Sequence, residues 1–239
     1  MQIATPTTSA AITGISSMAT RQLLSELTAE FERQQGVAVH IASVGGVDAA
    51  KRVQAGETFD VVVLASDAID KLMAAGLIVA SSKVDLVHSG VAVAVRAGAL
   101  APDISSEAAV RAAVLGAKSV SYSTGPSGVA LAKLFERWGI AADIAPRMVQ
   151  APPGVPVGSL VASGQVELGF QQLSELIHLP GIAVLGPLPA EIQITTTFSA
   201  GIATTATQAV SAQALLRFLA SPQTANAKRK QGMEPVEAV

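Results

Sequence analysis

Five consecutive apolar residues, Val61 to Ala65, form the segment that most restricts how this chain can fold. A strand with one face in water alternates apolar and polar residues, so an unbroken run indicates a strand that is covered on both faces. A helical pattern before the run ends at Gly56, and a second helix is predicted from Ser66 to Ala75. Helices that alternate with such strands predict an α/β protein with parallel sheets.

The same arrangement occurs twice along the chain, which predicts two halves of similar construction. Residues 54–61 and 162–170 both read as the end of a helix, a glycine, a short link and a buried strand. Further strands are predicted over residues 9–15 and Val91–Val95, and a helix over residues 105–115. The sequence therefore predicts two Rossmann-like α/β lobes with mostly parallel sheets around a central cleft.

Composition excludes several classes of protein. The 239 residues carry 16 basic and 18 acidic side chains, and only 3% are aromatic, so we expect no nucleic-acid partner. The absence of cysteine excludes disulfides, thiol nucleophiles and cysteine-based metal sites, and the three histidines show no metal-binding spacing. We expect no metal and no cofactor. No apolar run approaches the roughly 18 residues of a transmembrane helix, so membrane insertion is not expected.

Small polar residues and glycines follow several predicted strands and open the next helix. Because free amides and the helix dipole bind anions, and because ligands bind at the carboxyl ends of strands in open α/β sheets, these segments predict a small anionic ligand. Capping alone explains any single one of them, so the prediction depends on the set. The candidate ligand-binding residues are Ser16, Ser17, Gly45, Gly46, Ser123, Thr124, Ser127, Val155, Gln171 and Gln172.

The ordered set of segments resembles the molybdate-binding protein family, the type II periplasmic binding proteins of ATP-binding cassette importers. The resemblance lies in Ser16-Ser17, the run from Asp60 to Asp67, the turn Gly125–Gly128 and the segment Leu168–Gln172. It implies a type II periplasmic binding fold with two crossovers, near residues 86–90 and 197–200. The implied first lobe is discontinuous, residues 1–88 plus 198–239, and the second lobe covers residues 89–197.

The ligand shell departs from that family while the scaffold resembles it. Met18 or Ala19 stands where the family has its first oxyanion-binding serine, Gly45-Gly46 replaces the second, and Gln172 replaces a tyrosine. We therefore expect a small organic carboxylate rather than molybdate. Arg21, with the two glutamines at 171 and 172, is a candidate side-chain donor.

A subgroup of the same family, aconitate isomerase, is enzymatic and interconverts cis- and trans-aconitate. The alternative function is therefore an isomerase acting on an unsaturated di- or tricarboxylate. Such a reaction needs a base that removes and returns an activated C–H proton. His88, beside a predicted crossover, and Tyr122, at the end of a predicted strand, are the candidates for that role if the protein is an isomerase.

The remaining expectations concern partners and location. A solute-binding protein of this type would be a monomer that serves an ABC permease. No basic residue precedes Arg21, so the sequence shows no secretory signal as written. We expect a periplasmic protein if a signal has been removed, and a cytoplasmic one otherwise. A cytoplasmic sensor domain is a third alternative, although no helix-turn-helix segment accompanies the lobes.

Overall fold

The structure is a computed structural model that describes residues 10–236. Its strands are β1 (Ile12–Ser17), β2 (Val39–Val44), β3 (Val61–Ala65), β4 (Val84–Arg96), β5 (Val120–Tyr122), β6 (Met148–Gln150), β7 (Leu168–Gln172), β8 (Ile182–Pro187), β9 (Thr195–Ile202) and β10 (Met233–Pro235). Its α-helices are α1 (Arg21–Gln35), α2 (Gly46–Gln54), α3 (Ser66–Ala74), α4 (Glu107–Gly116), α5 (Pro126–Arg137), α6 (Ala141–Ile144), α7 (Val157–Ala162), α8 (Leu173–Leu176), α9 (Ala209–Ala220) and α10 (Ala225–Lys230). Short 3-10 turns, including Met18–Thr20, join several of these elements.

Each half of the chain contains a parallel core of three strands. In the first half, β1 lies between β2 and β3 and pairs with both in parallel. In the second half, β5 lies between β6 and β7 in the same way. Helices connect the parallel strands in each core, as the alternating pattern of the sequence predicted.

The two sheets are connected by antiparallel strands, and β4 belongs to both. Its first part, from Val84 to Gly90, pairs with β9, and its second part, from Val91 to Arg96, pairs with β7 and β8. β9 in turn pairs with β3, which connects it to the first parallel core. The α/β fold class with two parallel-cored sheets is thereby confirmed.

The unbroken run in β3 is buried on both faces of its sheet. Val61 and Val63 belong to the core that includes apolar residues of α1 and α9, whereas Val62 and Leu64 belong to the core formed with α2 and α3. All four side chains are fully buried. Successive residues of a strand point to opposite faces, so a strand between two helical layers needs apolar residues at every position.

Separate hydrophobic cores accompany the two sheets. One is built mainly from residues 12–87 and 198–233, and another from residues 91–192. This grouping supports the predicted lobes, although the bounds of 1–88 plus 198–239 and 89–197 stay predictions. Residues 1–9 and 237–239 of those lobes, and with them the first residue of the strand expected at 9–15, lie outside the described residues.

Several strand bounds differ from the sequence prediction. The strand expected at Val91–Val95 is the second part of the 13-residue β4. Its first part, which the sequence predicts as a crossover, mixes exposed residues with buried ones such as Leu86 and Val87. The short strands β6, β8 and β10 were not predicted, because runs of only three to six residues carry little periodic signal.

Candidate ligand-binding cleft

A cavity of about 380 Å³ lies where the carboxyl ends of strands from both halves meet. This volume is in the range of small-molecule sites and exceeds what one tetrahedral oxyanion fills. Most of the sequence-predicted ligand-binding residues line it. They are Ser17, Gly45, Gly46, Ser123, Thr124, Ser127, Val155, Gln171 and Gln172.

Three helices of eight or more residues begin at the cavity without a side-chain cap. Gly45 precedes α2, Ala65 precedes α3 and Gly125 precedes α5, and none of these cap residues accepts a hydrogen bond from its helix through a side chain. By contrast, the hydroxyl of Ser106 caps α4 by accepting from the Ala109 amide at 3.2 Å. The uncapped first turns leave N–H donors and positive dipole ends for an anionic ligand.

The segment from Ser123 to Gly128 forms a tight turn at the cavity wall. A Cβ at Gly128 would lie 1.9 Å from the Ser123 carbonyl oxygen, so only glycine permits this close approach. The hydroxyls of Ser123 and Ser127 are 3.4 Å apart, and both residues line the cavity. The sequence motif Gly125-Pro-Ser-Gly128 therefore has a steric basis as well as an electrostatic one.

The two serines at the end of β1 have different roles. Ser17 lines the cavity, and its hydroxyl accepts a hydrogen bond from the Ala19 amide at 3.1 Å. Ser16 is fully buried, and its hydroxyl lies 2.8 Å from that of Ser43, its partner residue on β2. Ser16 thus ties two strands together and is not among the residues of the cavity wall.

Gln171 and Gln172 end β7, and both are almost fully buried while lining the cavity. The Gln172 amide nitrogen donates to the Thr196 hydroxyl at 2.9 Å, whereas its Oε1 atom is buried without a partner within residues 10–236. An unpartnered amide oxygen in a buried position is costly. Because a half-turn of an amide exchanges its oxygen and nitrogen, Gln172 is suited to accept from or donate to a ligand.

Glu175, in the first turn of α8, lines the same cavity and is partly buried. Its Oε2 atom accepts a hydrogen bond from the Gln171 amide nitrogen at 2.7 Å. Burial raises the pKa of Glu175 to about 7, and the hydrogen bond from Gln171 opposes this effect. Sequence reasoning missed this residue as a site, because an acid in the first helical turn is commonplace.

The other ionisable side chains of the cavity wall are more exposed. Asp67 is 62% exposed and lies 3.7 Å from Lys71 of the next helical turn, and Lys51 is exposed as well. The arginines of the described chain do not belong to this wall. The shielded groups that could hold an anion in the cavity are therefore backbone amides, hydroxyls and glutamines, whereas the cations of its wall, Lys51 and Lys71, are exposed.

Besides Ser16, three sequence candidates lie away from the cavity wall. Arg21 is exposed at the start of α1, and Tyr122 packs against the core of the second sheet. The His88 Nδ1 atom is 2.9 Å from the Thr197 hydroxyl. Thr196 and Phe198 line the cavity, so Thr197 between them points to the opposite face of β9. His88 and Tyr122 are therefore not among the residues of the cavity wall.

Two further properties of the described chain concern metal ions and membranes. Within residues 10–236, there is no cluster of three or more His, Asp or Glu side chains suited to a metal ion. The helices in the described part of the chain include none long and apolar enough to cross a membrane.

Comparison with solved structures supports the same fold. The periplasmic molybdate-binding protein of Azotobacter vinelandii aligns with a TM-score of 0.79 at 20% identity, covering 95% of this chain and 100% of that one. The sulfate-binding protein SubI from Mycobacterium tuberculosis aligns with a TM-score of 0.77 at 16% identity, covering 96% and 88% of the two chains. The chain therefore has the α/β fold of these periplasmic binding proteins.

The sequence comparisons are more specific. The model of the family described as bacterial extracellular solute-binding protein matches residues 12–234, and this chain belongs to that family, in its molybdate-binding type. An aconitate isomerase from a Pseudomonas species is 38% identical over 233 residues, which are 95% of this chain and 88% of the relative. The resemblance noted in the sequence is confirmed.

Proposed function

We propose that the protein binds a small unsaturated di- or tricarboxylate in the cleft and isomerises it, with aconitate as the substrate to test first. The observation that carries this proposal is the set of uncapped helix starts around one cavity, those of α2, α3 and α5. A polycarboxylate has several separate negative groups, and separate helix starts match them better than they match one compact oxyanion. The relative that is 38% identical supports isomerisation over binding alone.

The chemistry needs few protein groups. A base takes a proton from the methylene carbon next to the double bond, the C–H electron pair forms the new double bond, and the original double-bond pair takes up a proton at the former vinylic carbon. One proton leaves and one returns, so the step is balanced without a redox partner. A closed cleft excludes water from the intermediate, and two carboxyl groups of the cavity wall, those of Asp67 and Glu175, are available as the base.

The second candidate function is solute binding without turnover. The family description and the two oxyanion-binding neighbours favour it. In that case the protein would be a periplasmic monomer that delivers a small anion, more suitably an organic carboxylate than molybdate, to an ABC permease. Closure of the lobes over the ligand would serve this function as well as catalysis.

A turnover assay, together with thermal-shift measurements, separates isomerisation from solute binding without turnover. Protein at a small fraction of the substrate concentration is incubated with cis-aconitate, and trans-aconitate is followed by ultraviolet absorbance. Conversion of many equivalents of substrate is the expected result. A thermal shift with aconitate but no conversion would favour the solute-binding function. A thermal shift with molybdate alone would contradict a carboxylate ligand.

A further inference from the structure

We propose that Glu175 is the group that removes and returns the proton in this isomerisation, with Gln171 as its positioning residue. The inference rests on the proposed function. It selects between the two carboxyl groups that line the cavity, Asp67 and Glu175.

The surroundings of the two carboxyl groups differ in charge and in exposure. Asp67 faces solvent, with 62% of its side chain exposed, and it is paired with Lys71. Glu175 is partly buried and has no cationic partner within residues 10–236. A solvated, ion-paired carboxylate is a weak base, whereas a shielded carboxylate with a neutral partner holds a proton more readily.

Glu175 lies between the two halves of the molecule. Its helix α8 begins directly after β7 and packs against β4, β7 and the 3-10 turn Met18–Thr20 that follows β1. A ligand held by the helix starts of both halves would therefore lie beside this carboxyl group. One of its oxygens, Oε2, is occupied by Gln171, which leaves Oε1 for the substrate.

Gln171 is held so that its donor faces Glu175. Its side chain is 4% exposed, and its Oε1 atom accepts a hydrogen bond from the Gly158 amide at 3.4 Å. The amide nitrogen is consequently directed to Glu175, 2.7 Å away. An amide neither takes up nor releases protons at neutral pH, so Gln171 orients the carboxyl group without competing for the proton.

A cavity meant only to hold an anion gains nothing from this carboxyl group in its ionised form. An ionised Glu175 would repel a carboxylate ligand in a site where shielding from water strengthens the repulsion. In a proton-transfer enzyme the same group is needed, and burial places its basicity in the useful range near neutral pH. The raised pKa supports the assignment that the geometry makes.

The test compares Glu175→Gln with Asp67→Asn and with Glu136→Gln, a control at an exposed position on α5. Turnover of cis-aconitate is measured for each variant, and the affinity of the Glu175→Gln protein for cis-aconitate is measured by calorimetry. We expect Glu175→Gln to lose 100-fold or more of the rate, on the order of what general-base catalysis contributes, while its affinity is unchanged or tighter. Asp67→Asn should lose less than about tenfold on the same scale, and Glu136→Gln should match the wild type.

The outcomes distinguish the two proposals. A Glu175→Gln variant that keeps more than about a tenth of the wild-type rate would overturn the assignment and leave the proposed function standing. Joint loss of binding and turnover, in a variant that melts at or above the wild-type temperature, would make Glu175 a ligand-binding group and would also overturn the assignment. Absence of turnover in the wild type would contradict the proposed function itself.

Discussion

The amide nitrogen of Gln171 lies 2.7 Å from Oε2 of Glu175, and this hydrogen bond joins the end of β7 to the first turn of α8. The partner is neutral, so no opposite charge offsets the loss of hydration at the carboxyl group. Burial consequently raises the pKa of Glu175 to about 7. The folded protein therefore holds a proton that the unfolded chain releases at lower pH.

This shift predicts how stability depends on pH. Between the ordinary pKa of 4.5 and the raised value of about 7, the folded state binds more protons than the unfolded state, so stability falls as pH rises through this window. The penalty above pH 7 amounts to at most roughly 3 kcal/mol. Glu175→Gln removes the titrating group and should flatten this part of the stability curve.

The measurement is urea unfolding of both proteins at pH 5 and pH 8. The advantage of Glu175→Gln over the wild type should be larger at pH 8. An equal difference at the two pH values would contradict the raised pKa.

Replacing Gln171 should move the pH dependence of catalysis. The variant Gln171→Met lacks the hydrogen bond that lowers the pKa of Glu175, so the rising limb of kcat/KM should shift to higher pH. The other ionisable side chains that line the cavity with this carboxyl group are Lys51, Asp67 and Lys71, and Arg21 follows the 3-10 turn that α8 contacts.

The rate of each protein is measured from pH 5 to pH 9. A shifted limb identifies Gln171 as a positioning residue. If kcat/KM falls by the same factor at every pH and its rising limb does not move, Gln171 has only a packing role.

The turn at Gly128 should not tolerate a side chain. In Gly128→Ala the new Cβ would lie 1.9 Å from the Ser123 carbonyl oxygen, and that oxygen belongs to rigid backbone. The turn must therefore rearrange, which should weaken aconitate binding and lower the melting temperature. Gly116→Ala at the end of α4 is a matched control, since its Cβ would meet nothing within 4 Å. Equal melting temperatures and affinities for the two variants would contradict this close approach of Gly128 to Ser123.

Asp60 should matter for stability rather than for the reaction. Its carboxylate accepts hydrogen bonds from the amides of Thr13, Thr207 and Gln208, at 2.7 to 2.8 Å, and so connects β1 to the start of α9. Burial disfavours the charged form, but these hydrogen bonds outweigh it and hold the pKa of Asp60 below its ordinary value. The stability it contributes is present above the unfolded pKa and is lost as pH falls through the folded one.

The variant Asp60→Asn replaces one acceptor oxygen by an NH2 group, so at least one of the three backbone donors loses its acceptor. We expect it to cost roughly 2 to 4 kcal/mol at pH 7, because hydrogen bonds to charged groups contribute about 1.5 to 3 kcal/mol each. Asp143→Asn, at an exposed position, is the control. Urea unfolding checks both variants, and a cost for Asp60→Asn below about 0.5 kcal/mol, which is typical of surface changes, would contradict this account.

Much of the fold is predictable from the sequence because burial leaves a periodic signal. The run in β3 indicated a strand with two covered faces, and glycines such as Gly36 and Gly164, both with positive φ, mark helix ends. The first part of β4, from Val84 to Gly90, carries a weaker periodic signal. Exposed residues such as Asp85 and His88 interrupt the buried ones there, so this part of the strand has no unbroken apolar run.

The candidate site was predictable where it depends on backbone position and not where it depends on side-chain environment. Helix starts such as Gly45-Gly46 follow strands whose ends share one edge of a sheet, so they meet in the cavity. Glu175 has a first-turn position that any helix favours, and its basicity arises from burial that only the folded chain provides. His88 lies near the crossover, as the sequence indicated, but its ring contacts Thr197 on the face away from the cavity.

The central claim is that the cleft isomerises an unsaturated tricarboxylate, and proton NMR tests it most directly. The wild-type protein, at about 1 μM, is incubated separately with a thousandfold excess of cis-aconitate and of trans-aconitate. Enzymes commonly turn over about 1 to 1000 times per second, so this excess is turned over within seconds to tens of minutes if the protein is an isomerase. Both wild-type samples should reach the same ratio of isomers. In the time that the wild type needs for this, the Glu175→Gln samples should keep almost all of their starting isomer. If the wild-type samples keep their starting isomers while calorimetry shows that either isomer binds, the cleft is a binding site without turnover, and the account is contradicted.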